Sequence, residues 1–513
     1  MKLLKPILLT TVIMAVLAGF GIYFLNRSEG TSKELNERIE EDQRDESQEK
    51  AYRFDIGKTA IRLAASGEEK NVLNFDSKNI YQVKTSNDAR ARLDRLIKRM
   101  EATFEQPIIA ANPFGTNANS FYFYFETKYR GMVRYTVTVE DESIPDMVRY
   151  VNNGQEYNLS RVHEFTISGL VPGMTNYIVM EVLDSTGAKR EGITYCYDVP
   201  KSPAKIKLAI DKGRSKDIST LGLYFTLPKG DDKIYAYDNS GILRNITNTE
   251  GNHGSRFYQV GDSVFYQVTD TKVARVSAIG RVLGVAEVKG YGPIRDFSYD
   301  GYGNIYALVS RKGRDYLLSA SFQQGQTRQV YAFPKGVKAV SITEPVSGGL
   351  YAAVAKPDGI MKIKALTSKT PKVAFVLGDK NKWKKTSLKK RVKTDSLISG
   401  WGMGQTVLNL LSGSDGSRDN ISAYVFAKGR GTGVEFQIQS KEKKAEKKHN
   451  LPVGEGGVCN CQTYDGHTII SNYTKGTFSE YDKEGKVTKQ FSLGRAADGI
   501  VKHTLNGMCF YVS

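Results

Sequence analysis

A hairpin built on an aspartate-and-glycine turn recurs along the C-terminal part of this 513-residue chain, and it restricts the fold more than any other feature. The clearest copies are IYAYDNSGIL at 234–243, FSYDGYGNIYAL at 297–308 and FSEYDKEGKV at 478–487. Looser copies are VSAIGRVL at 276–283 and TYDGHTII at 463–470. Asp and Gly suit the turn because they tolerate its backbone angles. The 29 Tyr and 22 Phe supply the flanking strands. A hairpin returning about every 40–50 residues is the pattern of propeller blades, and 204–513 has room for about six. A solenoid is the other architecture, but no strict short period is visible.

Upstream, the strand-like runs SFYFYFET (120–127), MVRYTVTVE (132–140) and NYIVMEVL (176–183) are separated by GLVPGMT and closed by an Asp184–Gly187 turn. Short strands at this spacing predict a fibronectin-like β-sandwich over 106–203. Before it, NDARARLDRLIKRMEATF (87–104) places Leu93, Ile97 and Met100 at helical spacing. Residues 31–54 are dominated by charge, so 28–105 reads as a charged stalk carrying one amphipathic helix. Residues 7–25 (ILLTTVIMAVLAGFGIYFL) carry no charge and follow two lysines. As a helix they span roughly 28 Å, the thickness of a hydrocarbon core. Residues 1–27 therefore read as a transmembrane anchor, with a cleaved signal segment as the alternative. The expected class is all-β, single-pass in the cell membrane, with the bulk of the chain extracytoplasmic.

The formal charge of +18 suits an anionic surface or substrate. Nucleic acid ranks below lipid headgroups, wall polymers or sulfate esters, because the N-terminus directs the chain away from it. Two insertions concentrate the charge: KNKWKKTSLKKRVK (380–393) and KEKKAEKK (441–448). They read as solvated loops or as contacts to anionic wall polymers or lipid. Cys196, Cys459, Cys461 and Cys509 are too few for a disulfide scaffold and form no zinc pattern. Neither a metal nor a cofactor is expected.

The succession Asn112-Pro113-Phe114-Gly115-Thr116-Asn117, Phe125-Glu126-Thr127, Val133-Arg134-Tyr135-Thr136-Val137, Asp141-Glu142-Ser143-Ile144-Pro145-Asp146, His163-Glu164-Phe165 and Gly169-Leu170-Val171-Pro172-Gly173 resembles the N-terminal domain of bacterial aryl-sulfate sulfotransferases. Gly222-Leu223-Tyr224-Phe225 and Tyr237-Asp238-Asn239-Ser240-Gly241 are similar to the first blade of their propeller. The resemblance implies sulfuryl transfer from a phenol sulfate ester to another phenol, with no nucleotide donor. It also implies a nucleophilic histidine in the central funnel, assisted by further histidines and an arginine. A neutral imidazole can attack and then shuttle a proton, and a guanidinium forks onto a tetrahedral oxyanion.

This chain departs from that pattern where the chemistry should be. The family's His-His-Asp-like segment reads Pro293-Ile294-Arg295-Asp296, and its Asp-Trp-x-His segment reads Gly400-Trp401-Gly402-Met403. The segment holding its nucleophile reads Gly456-Gly457-Val458-Cys459. Its arginine corresponds to Arg430. Cys459 and His253, the latter near Arg256, are the catalytic candidates. Cysteine is also a common small buried residue, and His253 a turn histidine. Arg295 and Arg430 are the candidates for binding an aryl sulfate or another anion. Two readings stay open: an arylsulfotransferase with altered residues, or a catalytically silent propeller that binds an anionic ligand or an envelope partner.

Overall fold

The computed structural model describes residues 59–503 apart from 65–69, 76–77, 152–158, 203–206, 216–221, 252–253, 255, 261–262, 324, 346–348, 401–405, 411–419, 428–431, 453–457, 465–466 and 473–474. The aromatic run that reads as two strands is one long strand, Phe121–Val139, shared by two sheets. Its first half pairs with Ile108–Ala111 and Ser160–Ile167. Its second half pairs with Met147–Val151 and Thr175–Leu183. Phe121, Phe123 and Phe125 point into the sandwich core. Tyr122 and Tyr124 are buried on the other face, in a cluster with Leu93 of the helix Val83–Arg99. That helix explains why FYFYF has no exposed face: alternation disappears when both sides of a sheet are covered.

The expected stalk is corrected by these contacts. From residue 59 the chain folds onto both units. Ile61–Ala64 adds to the strand Lys189–Asp198 in parallel. Leu63, Val72, Ile80 and Tyr81 are buried. Ser86 Oγ accepts from Val282 N at 3.0 Å, which ties the helix to the sheets that follow. The charged helix looked solvated because its buried side is narrow, with Ser86 and Leu93 its buried residues. Among the described residues no helix is long and apolar enough to cross a membrane, and residues 7–25 lie outside the described residues. The single-pass anchor, the membrane contact through it and the localisation drawn from it are corrected accordingly. The longest described helix, Val83–Arg99, is charge-rich.

Beyond the sandwich, the described residues form six separate sheets of four or five strands. Their innermost strands neighbour one another in succession, with Tyr258 hydrogen-bonded to Phe297 O and His503 to Phe257 O on either side of the second sheet, giving a propeller-like ring. Both ends of the ring are sealed by distant segments. Ala497–His503 pairs with Leu223–Pro228 as the innermost strand of the first sheet. Ala209–Lys212 pairs with Val487–Ser492 as the outermost strand of the last. The recurring turn has one geometry: the Asp carboxylate accepts the backbone N–H groups two and four residues on, and the Gly between them has positive φ. Asp238 accepts from Ser240 and Ile242, Asp300 from Tyr302 and Asn304, and Asp482 from Glu484 and Lys486. Gly241, Gly303 and Gly485 lie at φ of 80°, 99° and 79°, where a Cβ is penalised.

The sandwich and the first sheet share one core and a polar seam. Asn248 N donates to Thr116 O at 2.9 Å and Ala118 N to Ile246 O at 2.8 Å. The fully buried Arg244 donates to Asp238 within its own sheet and to Gly169 O and Pro145 O of the sandwich.

Candidate functional site

The first strands of the second to sixth sheets are Phe257–Val260, Asp296–Tyr299, Lys338–Ile342, Thr406–Leu410 and Val458–Tyr464, and Ala497–His503 completes the ring in the first. Where they converge, Arg256 forks onto Asp296, with Nε 2.8 Å from Oδ1 and Nη2 3.1 Å from Oδ2. Asp296 Oδ2 also accepts from Ile342 N at 2.8 Å, so one buried ion pair joins three successive sheets. Burial works against the Arg256 charge, but the Asp296 carboxylate outweighs it and holds the guanidinium above its ordinary range. Around it stand Tyr258, which donates to Phe297 O at 3.1 Å, and Cys461, which is buried. Glu344 reaches solvent, yet the surrounding protein raises its carboxyl above the ordinary range while Arg256 pulls it down.

Two side chains near the ring's seam come from Ala497–His503. Lys502 and Glu480 form a pair at 3.1 Å with 0% and 1% of their side chains exposed. Tyr224 donates to the same carboxylate at 2.7 Å. Burial raises the Glu480 carboxyl, but Lys502 outweighs it and the net shift is downward. On the opposite side of the strand, His503 Nε2 lies 3.3 Å from Phe257 O. A carbonyl only accepts, so Nε2 carries the proton. Phe225 and Phe257 enclose the ring. Burial pushes this imidazole down to about 4, so it is neutral near pH 7.

The other described histidines lie elsewhere. His163 is buried in the sandwich against Phe125, and burial pushes it to about 4 as well. His449 Nδ1 lies 3.0 Å from Glu435 in the fifth sheet. His467 Nδ1 lies 3.3 Å from Glu480 in the sixth. Each described histidine has a different polar partner. Among the described residues no cluster of three His, Cys, Asp or Glu side chains could hold a metal ion.

Of the residues singled out in the sequence, Arg295 is placed fully. Its Nη2 lies 2.9 Å from the buried Asp315, and its Nη1 donates to Ala339 O at 2.8 Å. It shares that carboxylate with Lys338, whose Nζ lies 3.5 Å from Asp315 Oδ1. Cys459 is placed only as a backbone position on Val458–Tyr464, the innermost strand of the sixth sheet. His253 and Arg430 lie outside the described residues. Sequence reasoning passed over Arg256–Asp296 and Lys502–Glu480. A lysine inside the apolar run of GIVKHTL was the one local signal of the second pair. The first joins strands about forty residues apart and leaves no local pattern.

Residues 108–200 match the family described as Arylsulfotransferase Ig-like domain. No curated protein matches the chain. Among solved structures, a putative 6-phosphogluconolactonase from Bacteroides uniformis is similar at 11% identity and TM-score 0.35, over 72% of this chain and 99% of that one. A catalytically inactive virginiamycin B lyase from Staphylococcus aureus with quinupristin is similar at 12% identity and TM-score 0.34, over 73% of this chain and 100% of that one. Likeness at that level carries nothing about activity.

Proposed function

We propose that this chain, whose residues 108–200 are an arylsulfotransferase Ig-like domain, is a catalytically silent sandwich-and-propeller unit that binds an anionic ligand through its basic exterior. The observation that carries this reading is the state of the interior cations. The buried Arg244, Arg256 and Lys502 face Asp238, Asp296 and Glu480, and the more exposed Arg295 shares the buried Asp315 with Lys338. A sulfate ester brought among the buried three would meet compensated charges, and it would have to break pairs that are costly to break. Of the two described imidazoles near the ring's seam, His503 is pinned by two aromatic rings and His467 faces Glu480. The surplus positive charge lies outside, on exposed lysines.

Arg430 as an anion ligand, and Cys459 or His253 as a nucleophile, are separate proposals that the same experiments address. The purified full chain, given nitrophenyl sulfate and phenol, is expected to show no turnover above the uncatalysed rate. Calorimetry at low salt is expected to detect binding of long-chain polyphosphate or phenyl sulfate, weakening as salt rises. Turnover that disappears in Cys459→Ala or His253→Ala would overturn the silent reading. Absence of binding to both probes would overturn the anion-binding reading.

A further inference from the structure

The two lysine-rich insertions, separate in the sequence, meet on the outer rim of the fourth and fifth sheets. Eight of the fourteen residues 380–393 are Lys or Arg, and none is acidic. This stretch is built rather than looped. A short helix, Lys380–Trp383, a 3-10 turn, Lys389–Arg391, and a strand, Val392–Thr394, run in succession. The strand pairs in parallel with Lys372–Gly378 and so covers the outer edge of the fourth sheet. Trp383 is fully buried, with Nε1 donating to Asp358 O at 2.9 Å. Leu388 and Val392 join the same core. Lys389, Lys390, Arg391 and Lys393 are left exposed, and among the described residues no carboxylate pairs with them. At the far end, the buried Asp395 accepts from Leu397 and Ile398, which caps one helix. Its other oxygen accepts from Ala445 N at 2.7 Å. Ala445 belongs to Lys444–Pro452, the outer strand of the fifth sheet. That contact sets exposed Lys444 beside the end of the first stretch.

Resting on the anion-binding reading above, we propose that this continuous rim is a docking strip for a linear polyanion, a chain of closely spaced anionic groups. Edge protection accounts for lysines on an outermost strand, but not for those on the helix and the 3-10 turn. The basic residues are nearly all lysines, point charges that answer to charge density, whereas arginine forks select group geometry. A bilayer is a poorer partner. The apolar residues of the stretch, Trp383, Leu388 and Val392, all face inward, leaving nothing to insert among acyl chains.

The test uses the full chain, fluorescent long-chain polyphosphate and a salt series. Binding is expected, with log affinity falling linearly against log salt. Replacing Lys389, Lys390 and Lys393 by Gln is expected to weaken binding at least about tenfold and to reduce the salt slope by about 2, near 0.7 per lost contact. A control with the exposed Lys312, Lys335 and Lys483 changed to Gln carries the same net charge. It is expected to bind like the parent. Equal loss in both variants would overturn the strip and leave general anion binding standing. Binding to phosphatidylglycerol vesicles with none to polyphosphate would overturn the polyanion in favour of a lipid surface. No binding to either would remove the anion-binding reading itself.

Discussion

Removing the guanidinium of Arg244 is expected to destabilise the protein by about 3–5 kcal/mol, because it breaks a buried ion pair from one side. Arg244 and Asp238 have 1% and 0% of their side chains exposed, and Nε lies 2.8 Å from Oδ2. The same guanidinium serves Gly169 O and Pro145 O of the sandwich. Arg244→Ala therefore strands one carboxylate and two carbonyls at the junction of sandwich and ring. Asp238 keeps its two turn N–H donors, which limits the loss. The control is Arg244→Met with Asp238→Asn. The amide still offers an oxygen to the turn, and no charge is left uncompensated. The double variant is expected to be more stable than Arg244→Ala, since most of the cost is the orphaned charge and not the lost bond. Equilibrium urea denaturation, followed by far-UV circular dichroism and by tryptophan fluorescence, measures both. A loss below about 1 kcal/mol, the size of an exposed pair, would refute the view that this seam is dry and tightly coupled.

Two further perturbations address the histidines and the turns. Burial lowers His163 from 6.5 to about 4, and His503 likewise. Between those values the unfolded chain takes up protons that the folded one refuses, so stability falls as pH drops from about 6.5 towards about 4. The loss for the buried His163 approaches about 3 kcal/mol, and it is less for the half-buried His503. The gap between urea midpoints at pH 7.5 and 4.5 is expected to narrow in His163→Phe, with His503 retaining its own share, and an unchanged pH difference would count against the buried neutral imidazole. Gly476 has φ of 59°, and a Cβ there would lie 1.6 Å from Arg495 O. Gly476→Ala is expected to cost more than about 1 kcal/mol, read as a fall in Tm, and a neutral result would show that the turn can rearrange.

What the sequence disclosed, and what it hid, follows the range of the interactions. The Asp-x-x-Gly turns were legible because Asp238, Asp300 and Asp482 each hold backbone groups within four residues. The sandwich strands were legible from alternation and aromatic content. FYFYF gave no hint that the helix Val83–Arg99 covers its second face, since Leu93 meets Tyr122 only in the folded core. Residues 61–81 looked like a continued stalk because their few apolar residues are isolated in sequence and find partners in strands far away. The lysine insertions looked like loops for the same reason: Trp383, Leu388 and Val392 are sparse among charges, yet all three enter one core. At the candidate site, Arg295 stood out by its place in a motif, whereas Arg256, one sheet earlier, holds the buried pair with Asp296.

The placement of charge links the fold to the proposed binding. In the interior, Arg244, Arg256 and Lys502 each meet a carboxylate, so these buried charges are matched within the fold. The excess of 73 basic over 55 acidic residues must then show itself mainly at the surface. It is not spread evenly there: residues 380–393 and 441–448 together hold thirteen basic and two acidic residues. Like charges packed this closely repel, and a flexible loop would relieve the strain by splaying. Burying Trp383 and fastening Asp395 to Ala445 prevents that relief. A rigid strip of mutually repelling lysines binds a polyanion with two gains over a loose loop. The repulsion is relieved on binding, and little backbone order remains to be lost. If Trp383→Ala loosened the ledge without weakening polyphosphate binding, rigidity would have no part in recognition, and charge count alone would suffice.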